Sequence, residues 1–345
     1  MTRFALRVAT LLTSLQILLL TSEGTLVAGA DGSLDGFWQS DGYGLVVEAS
    51  GTELVVREVT DISCVEQARY PLEAAGDDRW RVPDEADPND AAITILREAG
   101  PPERLRVQAA GKASEIHFTR VETAPAVCAE EPRSGPVYNF DVFWQTFADH
   151  YPLFERKGVD WQAQRTRYRS MVDGDTTDDA LFETLVAMVE PLEDAHVSLT
   201  RTGSDASYNG VRRDDYDTDP PGAFFARARR AAEIVDTKYV RGTVKSYASD
   251  NVQFGMLAGG VGYLRITGFD GCGEGSFMDQ MEQFESELDE ICGQEMTALV
   301  IDLRLNLGGS DVLGLAICER LANEPYVAYR KVARNDKENA SAWTE

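Results

Sequence analysis

Positive charge is scarce in this chain, and histidine scarcer still. Against 58 acidic residues stand 33 lysines and arginines and only three histidines, for a formal net charge of −25. So acidic a surface argues against nucleic acid or anionic membranes as partners; it speaks for solubility and is silent on fold. The five cysteines, Cys64, Cys128, Cys272, Cys292 and Cys318, form no CxxC pair and no Cys/His cluster, so no metal site is expected. Past residue 30 no apolar run approaches the ~20 residues that cross a bilayer.

What is present at the N-terminus reads as a secretory signal. Arg3 and Arg7 precede a broken apolar run, Val8 to Leu20, and Ala28-Gly29-Ala30 supplies the small-x-small cleavage pattern. An exported chain meets oxidising conditions, and an odd cysteine count leaves one thiol without a partner in the chain. The remaining sequence, in a chain of 345 residues with 43% hydrophobic content, suits two or three globular domains.

Residues 31–122 read as a small all-β domain. Short apolar runs, Gly44 to Ala49 and Glu53 to Val59, flank Ser50-Gly51, a hairpin signal, and further strand-like pieces follow at Trp80–Val82, Ala92–Leu96, Leu105–Gln108 and Glu115–Val121. A barrel or sandwich fits this spacing. Residues 123–137, with three prolines, read as a linker, and 138–200 as a helical subdomain. There Phe140, Phe143, Trp144 and Phe147 share one helical face, Asp160-Trp161 opens a second helix and Thr176-Thr177-Asp178-Asp179 a third. Residues 201–251 read as loop or connector. Its Asp215-x-Asp217-x-Asp219 run lacks the Gly and Glu of a calcium loop, since Pro220 and Ala226 stand there. Residues 252–345 alternate as an α/β layer: strands at Val252–Met256 and Val261–Ile266, a helix to Ile291, a buried-type strand at Ala298–Leu303, a helix capped by Ser310 or Asp311, and a strand at Tyr326–Val332.

Two segments carry chemistry. One is Leu192-Glu-Asp-Ala-His196-Val-Ser-Leu199; the other is Val261-Gly-Tyr-Leu-Arg-Ile266 followed by Leu299-Val-Ile-Asp302-Leu-Arg304-Leu-Asn306-Leu-Gly308-Gly309. Two glycines after a strand let backbone N–H groups approach a developing oxyanion, and a following helix adds its positive end. A histidine where a helix runs out can serve as a general base. His117, in a β-domain strand, and His150, at a helix end, read as structural or exposed.

In this order the segments resemble the tail-specific (C-terminal processing) serine peptidases, over roughly residues 138–335. The histidine and the preceding helical block are similar to the tricorn-core branch. The resemblance implies a crotonase-like catalytic layer, His196 as base, Gly308 and Gly309 as oxyanion hole, and Asp302, Arg304 and Asn306 as the motif supporting them. It implies a peptide or protein substrate and no cofactor. The interval from Leu199 to Val261 is too short for the PDZ domain that many relatives insert there. The family's nucleophile follows a further strand, and neither Ser310 nor Ser341 suits the role, so it is expected beyond Glu345. The alternative is a non-catalytic relative that binds an apolar ligand or a peptide; a crotonase-type acyl-CoA enzyme is disfavoured by the export signal.

Two disulfide expectations follow from the same reading. Cys64 and Cys128 lie near the ends of the β-domain and are expected to pair. Cys272 and Cys292 are not, because a helix of ~24 Å separates them and a disulfide needs Cα atoms within about 7 Å.

Overall fold

Alternating apolar and polar residues build nine consecutive strands at the start of the computed structural model, which describes residues 33–131, 133–210, 223–335 and 342–344. The expected signal at residues 1–30, the Asp215–Asp219 run and Ser341 lie outside them. The strands are β1 (Gly36–Ser40), β2 (Leu45–Ser50), β3 (Glu53–Val59), β4 (Cys64–Pro71), β5 (Glu73–Gly76), β6 (Arg79–Pro83), β7 (Ala91–Glu98), β8 (Arg104–Ala109) and β9 (Ile116–Val121). Their spatial order is β4-β3-β2-β1-β9-β8-β7-β6-β5, with antiparallel pairing throughout. The two ends of that order, β4 and β5, are joined by one residue, buried Leu72. The sheet therefore curls around a single core in which Trp38, Leu54, Val56, Leu72, Trp80, Ile95, Leu105 and Phe118 pack together. Strands β4 and β5 escape the sequence pattern because their side chains are mostly exposed.

The expected linker is partly structured. A 3-10 turn, Ala126–Ala129, brings Cys128 to Cys64, with Cα atoms 4.9 Å apart in a disulfide. The first helix, α1 (Pro136–His150), starts on a proline whose missing N–H costs nothing at that position. It buries Phe140, Phe143 and Phe147 against α3 (Trp161–Tyr168) and α4 (Asp178–Val189), with the single turn α2 (Phe154–Lys157) between. Asp160 and Thr177 cap α3 and α4 as expected. Trp144 and Trp161 exchange indole N–H bonds to each other's carbonyls, at 3.1 and 2.9 Å, which fixes α1 on α3.

After a short ribbon, β10 (Ser198–Thr200) with β11 (Ser207–Asn209), the structure departs from the connector expected over 201–251. That stretch holds a helix, α5 (Ala223–Lys238), and a strand, β12 (Arg241–Tyr247). Strand β12 joins β13 (Val252–Met256), β14 (Val261–Ile266) and β15 (Ala298–Asp302) in one sheet; the first three are antiparallel and β15 runs parallel to β14. Helices α6 (Phe277–Cys292) and α7 (Asp311–Leu321) bury Phe284, Leu288, Ile291, Leu313 and Ile317 beside β13 and β14.

Two expectations for this layer need correction. Among the described residues strand β15 is the sheet edge rather than a buried strand, and Ala298, Val300 and Ile301 are exposed. Tyr326–Val332 is not a strand, for no neighbour among the described residues offers it a ladder; Tyr326, Val327 and Val332 stand in solvent. Cys272 and Cys292 are unpaired, as the helix between them requires, and Ser276 starts that helix with a capping box to Asp279.

Candidate active site

The parallel pair β14 and β15 sends both its carboxyl ends in one direction, where an open α/β sheet carries its crevice. Asp302 ends β15, is 7% exposed, and accepts the Tyr263 hydroxyl from β14. Arg304 turns back onto the same carboxylate, with Nε at 2.8 Å and Nη2 at 2.5 Å, and its amide donates to Oδ1 at 3.1 Å. The Arg304 guanidinium, helped by the Tyr263 hydroxyl and the Arg304 amide, holds the Asp302 carboxyl far below the ordinary carboxylate range despite burial. Asp302 is therefore an ionised brace of the strand end.

Asn306 shapes the turn that follows. Its amide nitrogen donates to the Ile266 carbonyl at 3.3 Å and its Oδ1 accepts the Gly308 N–H at 2.9 Å. Phe269 then donates to the Gly308 carbonyl at 2.8 Å and accepts the Ser310 N–H at 3.0 Å, which stitches the turn to the end of β14. Gly308 and Gly309 sit at φ +93° and +124°. A Cβ on Gly309 would come within 2.5 Å of the Phe269 carbonyl carbon, so only glycine fits there. Of the two expected oxyanion donors, Gly308 spends its N–H on Asn306. The Gly309 N–H has no hydrogen-bond partner among the described residues, and Gly309 is exposed.

Ser310 occupies the N-cap position of α7 without capping it. Its hydroxyl donates to the Gly111 carbonyl of the barrel at 2.7 Å instead, which corrects the cap expected there.

His196 belongs to a different segment from this turn. It follows the 3-10 turn Glu190–Leu192 on a bend ahead of β10, with its side chain 93% exposed and Nδ1 3.4 Å from Asp194 Oδ1. Asp194 also accepts the His196 N–H at 3.0 Å and the Tyr151 hydroxyl at 2.8 Å. Burial works against its charge, yet the His196 amide and the Tyr151 hydroxyl outweigh it and lower the Asp194 pKa. Asp194 thus braces the bend and faces the imidazole as well. No hydrogen bond or ion pair joins His196 to the glycine turn among the described residues, and His196 lines neither of the two cavities recorded near the sheet. His150 packs against Gly44, where a Cβ would overlap its ring, and His117 lies in β9.

The larger cavity, a groove of about 670 Å³, opens along β15 between Val235 of α5, Tyr239 just past its end, and Val300, Ile301 and Leu303, with Arg304 at its wall. Residues the sequence did not mark hold this region together. Tyr263 binds Asp302, and Arg265, 6% exposed, grips Asp236 of α5 through both terminal nitrogens. A tyrosine and an arginine inside a strand otherwise made of Val, Gly, Leu and Ile were the available signal. Burial, with Asp270 and Glu287 nearby, pushes the buried Cys272 thiol up to about 11.

Comparison with known proteins matches two stretches of the chain. Residues 133–190 match the tricorn protease C1 domain, and residues 260–345 match peptidase family S41. No curated protein matches. A solved structure from Parabacteroides merdae, assigned as a peptidase, is similar at 25% identity and a TM-score of 0.42; the match covers 56% of this chain and 54% of that one. The chain thus spans about half the length of that relative. The helical block with α1 to α4 is thus similar to the tricorn protease C1 domain, and the layer that carries Asp302, Arg304, Asn306 and the two glycines is similar to peptidase family S41.

Proposed function

We propose that this protein is an exported serine peptidase in which the Gly309 amide binds the oxyanion of a peptide under attack. The observation that carries this reading is the unpartnered, exposed Gly309 N–H, held at fixed geometry by Phe269 and Asn306 at the start of α7. A donor that is positioned before the reaction stabilises developing charge without reorganisation, and the helix start adds to it. His196 is the general base, held at its bend by Asp194. The attacking hydroxyl comes from chain beyond Glu345, because the Ser310 hydroxyl is committed to the barrel. The second donor of the hole is either Gly308, if Asn306 releases it, or an amide of that further chain. Substrates are peptides or proteins. The Cys64–Cys128 disulfide supports export, since such bonds persist in oxidising compartments.

A second reading has one observation in its favour. The groove beside β15 is walled by Val235, Leu257, Val300, Ile301 and Leu303, and would suit an apolar ligand held without catalysis.

Peptide hydrolysis separates the two. With the protein expressed from its full reading frame, His196→Ala is expected to lower kcat by about 10³-fold or more with little change in KM. The 345-residue chain alone is expected to be no faster than its own His196→Ala variant. Turnover by the full protein that ignores His196, or no turnover at all, contradicts the peptidase reading as stated.

A further inference from the structure

The β-barrel is not tethered to the catalytic layer by its linker alone; it grips that layer beside the candidate site. Two barrel loops make the contact at the starts of α6 and α7. The β8–β9 loop gives the Gly111 carbonyl to the Ser310 hydroxyl at 2.7 Å and the Ala113 N–H to Asp311 Oδ1 at 3.1 Å. The β6–β7 loop gives the Asp90 carboxylate to the Ser276 hydroxyl, and Ser276 is 1% exposed. Ser276 and Ser310 are the N-cap residues of α6 and α7. Gly111 is itself buried, and a Cβ there would stand 3.0 Å from the Phe277 ring, so the two bodies meet at van der Waals distance.

Ser310 is the hinge of this contact. Its N–H is bonded to Phe269 and its hydroxyl to the barrel, while Gly309 immediately precedes it. The peptide plane that carries the Gly309 N–H is fixed on one side by Asn306 and Phe269 acting on Gly308. On the other side it depends on where Ser310 is held. Two successive residues at positive φ have a soft backbone, which an anchored neighbour restrains.

We propose that the β-barrel is a positioning element of the active site: through Gly111 and Ser310 it steadies the Gly309 amide that Phe269 and Asn306 orient, so displacement of the barrel loosens the oxyanion hole. The assignment rests on the peptidase reading for its consequence in catalysis, but not for the mechanical coupling. Ser310, Asp311 and Asp90 are then positioning residues, and a partner or substrate that pulls on the barrel tunes the site. Asp311 reinforces the contact by also accepting the Tyr329 hydroxyl at 2.6 Å and the Lys331 ammonium, which ties the segment after α7 to the same point.

Amide hydrogen exchange on the 345-residue chain tests the coupling without any need for activity. The variants are Ser310→Ala, which removes the bond beside the turn, and Asp90→Ala, which lies wholly on the barrel. Exchange in the segment 303–312 is expected to rise about tenfold in Ser310→Ala. A smaller rise is expected in Asp90→Ala, centred on 268–277, with the double variant fastest over both segments. The barrel strands β1 to β3 and the middle of α6 are expected to keep their native rates. Unchanged exchange at 303–312 in both Ser310→Ala and the double variant overturns the proposal, and so does a uniform rise across all strands. In the full-length protein the coupled prediction is a fall in kcat at constant KM for Ser310→Ala. Loosened exchange with unaltered kcat would leave the clamp standing and sink the oxyanion role of Gly309.

Discussion

Arg265 of β14 reaches Asp236 of α5 with both terminal guanidinium nitrogens, at 3.1 and 2.8 Å, while its Nε binds Gln253 at 2.6 Å. This fork ties the helix to the sheet. Breaking it from the helix side strands a cation that is 6% exposed. Asp236→Ala is therefore expected to destabilise the protein by about 3 kcal/mol. Arg265→Met, which removes the charge along with its partner's need, is expected to cost less. Denaturant melts of the two variants check the order; equal and negligible losses would show that α5 is held by other contacts.

The glycine turn gives an asymmetric prediction. Gly309→Ala places a methyl group 2.5 Å from the Phe269 carbonyl carbon at φ +124°. Gly308→Ala meets nothing within 4 Å and bears only the backbone cost of φ +93°. The second substitution is expected to cost about 1 kcal/mol. The first is expected to cost about 3 kcal/mol, because a backbone clash adds to the strain. Thermal melts read both, and a larger loss for Gly308→Ala contradicts the geometry of the turn.

Glu58 links stability to pH at the contact between the barrel and the helices. Burial against α1 pushes its carboxyl up to about 7, with the Thr146 hydroxyl acting in the opposite direction. Between its ordinary value of 4.5 and about 7 the folded protein holds a proton there that the unfolded chain releases. Stability from this group is thus complete at acid pH and is lost as pH rises through about 7. Glu58→Gln is expected to flatten the decline over that window. Urea titrations at pH 5, 6, 7 and 8 give the comparison, and parallel pH profiles for native and variant protein would refute the assignment.

How far the sequence carried the fold depends on what holds each element. Helices α1, α3 and α4 were legible because aromatic residues at helical spacing and Asp160 or Thr177 at the caps act locally. Strand β4 and helix α5 were not. The first is a mostly exposed strand without a hydrophobic alternation, and the second is held by a bidentate ion pair to a residue nearly thirty positions away. Strand β15 reads as buried from its Leu-Val-Ile run, yet whether such a run is covered depends on a neighbour that local sequence does not specify. At the site, Asp302, Arg304, Asn306 and the glycines were found by pattern, and the structure adds what each one holds. The commitment of Ser310 to Gly111 lay out of reach, since it joins residues 199 positions apart.

The central claim, that the glycine turn serves a serine nucleophile activated by His196, is tested most directly by mapping a covalent label. A fluorophosphonate captures only a serine whose hydroxyl is activated and whose adduct oxygen finds oxyanion donors. With protein from the full reading frame, peptide mass spectrometry is expected to find one adduct, on a serine beyond residue 345, and to lose it in the His196→Ala variant. An adduct on Ser310, or labelling that persists without His196, would contradict the account.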